Sequence, residues 1–204
     1  MSKDLKVIVL DAMGVIYSVK DDVLDLLFPF IAEKGGSRDI SKIQENCHSA
    51  SLGEMTAAEF WKAVGIAPEL EDEYLQRHTL TNGVIEFLDV VKRRGHPIWC
   101  LSNDLSEWSK KLRLRFGLDK YFAGCVISGD VNVRKPDLAI YYHVIKQFKR
   151  NPHEALLVDD NPKNLDSAAS LGFETVLFRP TSSRLTNKIH KTATTFDEIL
   201  SLLC

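Results

Sequence analysis

The feature that most constrains this chain is a rhythm of short apolar runs: Val7 to Leu10, Ile98 to Leu101, Cys125 to Ile127, Ala155 to Val158 and Thr175 to Phe178. Each is rich in β-branched or large apolar residues and ends near a polar or glycine-containing turn, which predicts buried strands. Helical patterns fill the later intervals. Asn82 is expected to cap a helix that turns Val84, Leu88 and Val91 to one side and stops at Gly95. Pro136 and Asp137 open a second helix with Ile140, Val144, Ile145 and Phe148 inward. Asn161 as N-cap and Pro162 at the first helical position open a third, with Leu165, Ala168 and Ala169 inward and Gly172 as its stop. Alternating βαβα with strands apolar on both faces predicts an α/β fold, a parallel sheet flanked by helices with right-handed crossovers.

The first interval breaks the rhythm. About 85 residues separate Leu10 from Ile98, whereas later strands follow one another at roughly 20–30. The long interval carries its own helical patterns at Val23 to Ala32, Ser37 to Cys47, Thr56 to Val64 and Glu69 to His78, with Thr56 and Glu59 spaced as a capping box. The chain therefore divides into a sheet core at 1–17 and 81–204 and an inserted α-helical unit at 18–80. Its aromatic residues Phe28, Phe30, Phe60 and Trp61 are expected to form that unit's own core.

Composition narrows the function classes. With 204 residues, 45% hydrophobic and 26% charged, the chain can bury a proper core without staples. No apolar run approaches the roughly 20 residues of a membrane span, and Met1 to Lys6 lack an apolar signal core, so a cytoplasmic, non-membrane protein is expected. The 26 basic and 28 acidic residues leave a net charge of −2, no global reason to bind nucleic acid. The run Lys110, Lys111, Arg113, Arg115 reads as a solvated helix face. The four cysteines form no CxxC pair and the six histidines no ligand spacing, which argues against zinc and against a disulfide framework.

In a parallel α/β sheet, ligands collect at the carboxyl ends of the strands. Here those ends carry Asp11, then Ser102, Asn103 and Asp104, then Asp159, Asp160 and Asn161, with Lys135 on the same edge. Three carboxylates in one crevice repel unless a cation or proton intervenes. Oxygen-only ligands suit Mg²⁺ better than a softer metal. Lys135 could hold a phosphoryl oxygen and keep Asp11 ionised, and Ser102 with the first amides of the following helix could bind another oxygen.

The segments VIVLDAMGV (Val7 to Val15), WCLSND (Trp99 to Asp104), RKPD (Arg134 to Asp137) and LLVDDNPKNLDSAASLG (Leu156 to Gly172), with GEMTAAEFW in the insertion, together resemble the haloacid dehalogenase-like hydrolase superfamily. The resemblance implies a Rossmann-like core and a helical cap over the site. It further implies Asp11 as nucleophile through an aspartyl intermediate, Ser102 holding the transferred group, and Lys135 orienting both. Mg²⁺ would be bound by Asp11, the Met13 carbonyl and Asp160. Asp159 would stand behind them, paired with Lys135, and Asn164 would sit where many members carry another acid. Asn103 and Tyr17, the latter near the junction with the cap, are expected to line the substrate pocket.

One departure stands out. Family phosphatases carry an Asp two residues after the nucleophile as acid and base, and this chain has Met13. A thioether cannot shuttle protons, and a positioned acid/base is typically worth about 10²–10⁴-fold. The expectation is a Mg²⁺-dependent hydrolase of a small phosphorylated substrate, of low activity or restricted to good leaving groups. One alternative is a haloacid dehalogenase, which needs no metal and leaves the paired acids unexplained. A phosphonatase-like enzyme would need a Schiff-base lysine, for which Lys20, Lys34 and Lys42 are candidates, and a non-catalytic binding protein on the same scaffold is a third. Substrate identity and oligomeric state are not encoded in any recognisable motif.

Overall fold

The computed structural model of the chain describes residues 6–180 and 189–203; Met1 to Leu5 and the last of the four cysteines, Cys204, lie outside them. Six strands, β1 (Val7–Leu10), β2 (Ile98–Ser102), β3 (Phe122–Ile127), β4 (Ala155–Asp159), β5 (Glu174–Phe178) and β6 (Lys191–Ala193), form one sheet in the order β3-β2-β1-β4-β5-β6. Every pairing is parallel. β1, β2 and β4 are buried along their whole length, as continuous apolar runs require when helices cover both faces. Within β1 the side chains alternate: Ile8 and Leu10 join one core cluster, Val7 and Val9 the other. The short edge strand β6 was not foreseen, because Lys191, Thr192 and Ala193 carry one buried residue and no alternation that stands out.

Helices α1 (Phe28–Glu33), α2 (Ile40–Ser51), α3 (Ala57–Ala63) and α4 (Glu71–Leu75) occupy the long interval between β1 and β2. The Thr56/Glu59 capping box forms with both reciprocal bonds, and Asp39 caps α2, later than the expected start at Ser37. The core helices are α5 (Val84–Arg93), α6 (Ser106–Arg115), α7 (Ser128–Val131), α8 (Leu138–Phe148), α9 (Pro162–Ser170) and α10 (Phe196–Ser201). Asn82 does not cap α5. Gly83 takes that position at φ +81°, a left-handed backbone that glycine adopts without a Cβ clash. Asn161 does cap α9, accepting from Lys163 N, although Ala169 points to solvent rather than inward.

The helical insertion is fastened to the core. Phe30, Phe60, Trp61 and Tyr74 belong to the same buried cluster as Leu10, Leu88 and Trp108 of the core, while Phe28 is only half-buried. Ring centroids lie 5.0 Å apart for Tyr74 and Trp108 and 5.4 Å for Trp61 and Trp108, contacts each worth about 0.5–1.5 kcal/mol beyond area burial. Within this apolar seam Glu71 accepts from both indoles, Trp61 Nε1 and Trp108 Nε1, each at 2.9 Å, and pairs with Lys111 at 2.8 Å. Arg115 donates to the carbonyls of Leu75, Gln76 and His78 at the end of α4. The basic run on α6 is thus not merely solvated: Lys111 and Arg115 hold the insertion in place. On the other side, Ser128 Oγ and Asn132 Nδ2 donate to Ser51 O at 2.6 Å and Leu52 O at 2.7 Å. These bonds satisfy orphan carbonyls at the end of α2.

Among the described residues no helix is long and apolar enough to cross a membrane.

Candidate active site

The strand order reverses direction between β1 and β4, and the crevice outside their carboxyl ends is where a doubly wound sheet binds ligands. Asp11 follows β1, Ser102 ends β2, and Asp159 ends β4 with Asp160 directly after it. Lys135 reaches the same point from the segment ahead of α8. Asn103 fixes that segment from both sides, donating to Lys135 O at 2.9 Å and accepting from Lys135 N at 2.8 Å.

Lys135 is nearly inaccessible and bridges two carboxylates, Asp11 Oδ1 at 2.8 Å and Asp159 Oδ2 at 2.7 Å. Asp159, fully buried, accepts further bonds from Asn161 N and from Asn164 Nδ2, so its oxygens are saturated. Asp11 Oδ1 also takes the Ala12 N–H at 2.7 Å, so both of these contacts fall on the same oxygen. Ligand oxygens of Asp11, Asp159 and Asp160 lie within 4.8 Å of one another. Gly14 makes this approach possible. At φ +75°, a Cβ there would lie 2.6 Å from Asp160 Oδ2, so any side chain would push the acid away.

The electrostatics carry the mark of uncompensated charge. Burial, and then the Asp159 charge, push the Asp11 carboxyl up to about 8, against the pull of Lys135. Burial and Asp159 likewise raise Asp160 to about 6, with Lys135, Lys20 and Arg179 opposing. For Lys135, burial works against the charge, yet Asp11 and Asp159 outweigh it and hold the ammonium well above its ordinary value. Ser102 Oγ is buried without a hydrogen-bond partner, a costly state unless a ligand oxygen meets it.

A cavity of about 140 Å³ opens over these groups. Asp11, Met13, Ser102, Asn103, Lys135, Asp160 and Asn164, all anticipated from the sequence, line it together with Lys20 and Asn161. One expectation fails. Tyr17 does not line the cavity: it is 2% exposed, its ring packed against His78 and Phe116, because the chain folds back there to bridge Met13 and Leu80. Of the amides between Ser102 and α6, Asp104 N donates to Ser128 Oγ and Leu105 N to Asp104 Oδ1. The role of Gly14 escaped sequence reading, although a glycine three residues after the strand-end Asp11 was the available signal. Of the three candidate lysines only Lys20 reaches the cavity; Lys34 pairs with Glu33 and Glu73 within the insertion, and Lys42 lies exposed on α2.

The model of the haloacid dehalogenase-like hydrolase family matches residues 5–172, a span that includes every one of these groups. The chain belongs to that family. Its curated relatives include a phosphoglycolate phosphatase of Nitrosococcus oceani, 30% identical over 106 residues, which are 52% of this chain and 47% of that protein. A (S)-2-haloacid dehalogenase 4A of Burkholderia cepacia is 31% identical over 91 residues, 45% of this chain and 39% of that protein. The chain thus spans between about a tenth and just over half of the curated relatives it matches. Among solved structures, a family enzyme of Bacteroides thetaiotaomicron in complex with magnesium and inorganic phosphate superposes with TM-score 0.74 at 18% identity. It covers 88% of this chain and 96% of its own. At that identity the superposition establishes a shared fold. The chain accordingly has a Rossmann-like core of this family, whose first strand-end acid is Asp11.

Proposed function

We propose that this chain is a Mg²⁺-dependent phosphohydrolase working on a small phosphorylated substrate through an aspartyl-phosphate on Asp11. The observation that carries the reading is the crowding of Asp11, Asp159 and Asp160 within 4.8 Å around a single lysine, with two of the carboxyls pushed up. Such a set calls for a divalent cation, and its all-oxygen donors fit a hard one. Asp11, Asp160 and the Met13 carbonyl would hold Mg²⁺, which when bound supplies positive charge against the phosphoryl oxygens.

The chain's own groups account for the remaining steps. Ala12 N–H and Lys135 fix Asp11 through Oδ1, so Oδ2 is left to attack phosphorus in line with the leaving oxygen. Lys135 and the unpartnered Ser102 hydroxyl stand where they can hold transferred oxygens as charge builds on them. Asp159 anchors Lys135, and Asn164 anchors Asp159 in turn. The helical insertion serves as the cap over this crevice.

Met13 supplies no proton to the leaving group, so aryl and acyl phosphates should be turned over far better than alkyl phosphates. Phosphate release from acetyl phosphate or p-nitrophenyl phosphate is the test. Dependence on Mg²⁺ and loss in Asp11→Asn are expected, and release indifferent to both would overturn the reading. The retained acid set favours phosphoryl chemistry over metal-free dehalogenation.

A further inference from the structure

Lys20 lies outside the four motifs, yet the fold delivers it to the cavity. Ala12 O accepts from Ile16 N and Tyr17 N, and Gly14 N donates to Val19 O at 2.7 Å, so the chain after Asp11 closes into a tight loop. The next residue, Lys20, emerges beside Gly14 and Met13 and lines the same cavity as Asp11. Its side chain is exposed and makes no ion pair or hydrogen bond among the described residues; the carboxylate it influences is Asp160.

The other charged groups lining the cavity already have roles in the proposed reaction. Asp11 attacks, Asp160 belongs to the cation set, and Lys135 is pinned between Asp11 and Asp159. Only Lys20 is uncommitted. It also follows directly on the loop that carries Met13, closed by the Gly14 N to Val19 O bond, the position where the family resemblance would place an acid for the leaving group.

Building on the phosphohydrolase reading, we infer that Lys20 is a catalytic residue whose ammonium hydrogen-bonds the leaving oxygen and neutralises the charge that develops there. As the bond from Asp11 Oδ2 to phosphorus forms and the bond from phosphorus to the leaving oxygen breaks, that oxygen carries away the electron pair. It departs paired with the Lys20 ammonium and takes its proton from solvent water. Water then attacks the aspartyl-phosphate, the bond to Asp11 breaks, and inorganic phosphate leaves with the proton released to solvent. Lys20 thus substitutes a fixed charge for the missing acid, which helps most when the leaving oxygen is most basic.

The experiment compares kcat across phosphate esters of graded leaving-group basicity for the wild-type protein, Lys20→Met and Lys20→Arg, with Mg²⁺ present throughout. Lys20→Met should lose about 10–10²-fold on a simple alkyl phosphate and no more than about threefold on p-nitrophenyl or acetyl phosphate, steepening the dependence on leaving group. Lys20→Arg should restore most of the loss, because it keeps the charge. An equal loss on all substrates, or a change confined to KM, would show Lys20 binding substrate without acting on the leaving oxygen and would overturn the inference while leaving the phosphohydrolase reading intact. A wild-type protein that releases phosphate from none of the esters would sink both. Because Lys20 is exposed, thermal melts of the variants should match the wild type.

Discussion

The polar contacts that Glu71, Arg115, Ser128 and Asn132 make between the helical insertion and the core are satisfied, with Glu71 and Ser128 buried and Arg115 and Asn132 at the surface. Glu71 answers two indole N–H groups and a lysine, Arg115 answers three carbonyls, and Ser128 and Asn132 answer the end of α2. The crevice at the strand ends is polar, buried and left in deficit: three carboxylates share one fixed lysine, two of them have raised pKa values, and the Ser102 hydroxyl bonds nothing. The contrast separates polar groups placed for stability from those placed for chemistry. A satisfied cluster rigidifies the fold, whereas a cluster that the fold alone does not satisfy is waiting for a ligand.

Variants at the two places should therefore move stability and activity in different directions. The largest effect belongs to Asp11→Asn, which should lower phosphate release by at least about 10³-fold, since a nucleophile lost from a concerted set removes most of the rate. Next, Met13→Asp should raise turnover of alkyl phosphates by about 10²–10⁴-fold in a steady-state assay. A rate that stays flat would mean that more than a proton donor is missing from the crevice. In the seam, Glu71→Leu strands two buried indole donors and should cost about 2–4 kcal/mol, read as a fall in Tm of roughly 5–15 °C, with kcat on p-nitrophenyl phosphate within about threefold. Unchanged stability there would erase the contrast.

The smallest effect is the sharpest. Asp160→Asn removes a like charge from the crevice, so in the absence of metal it should stabilise the protein by a few degrees at pH 8 while abolishing the response of Tm to Mg²⁺. The sign follows from linkage. A carboxyl held near 6 or 8 in the folded protein, against 3.8 ordinarily, binds protons more tightly when folded. Its contribution to stability is therefore fully present below pH 3.8 and lost as pH rises through the folded values. Mg²⁺ competes with those protons, so its stabilisation should grow between pH 5.5 and pH 8.5. Saturating metal at about 100 times its Kd adds about 2.7 kcal/mol. A Mg²⁺ shift in Tm that is larger at pH 5.5 would contradict the assignment.

Much of this was legible in the chain. β1, β2 and β4 were readable because strands buried on both faces must be apolar throughout, β3 and β5 from their apolar, buried C-terminal ends, and the carboxyl ends then fixed which acids meet. Asp11, Ser102, Lys135 and Asp160 followed from that edge, and all four line one cavity. What stayed hidden depends on tertiary position. Tyr17 lies close to Asp11 in sequence, but a fold-back loop buries its ring away from the crevice. Glu71 reads as one acid among Glu69, Asp72 and Glu73, and only the packing of Trp61 against Trp108 gives it three partners. Arg115 looked like surface charge because the carbonyls it answers belong to a helix 40 residues earlier.

The central claim is that the crevice in deficit holds a divalent cation beside the nucleophile. Crystals grown with Mn²⁺ in place of Mg²⁺ test it through anomalous scattering. The account predicts one strong peak, within bonding distance of Asp11, Asp160 and the Met13 carbonyl, that disappears in Asp160→Asn. No peak at saturating Mn²⁺, or a peak that leaves Asp11 and Asp160 unliganded, would contradict it.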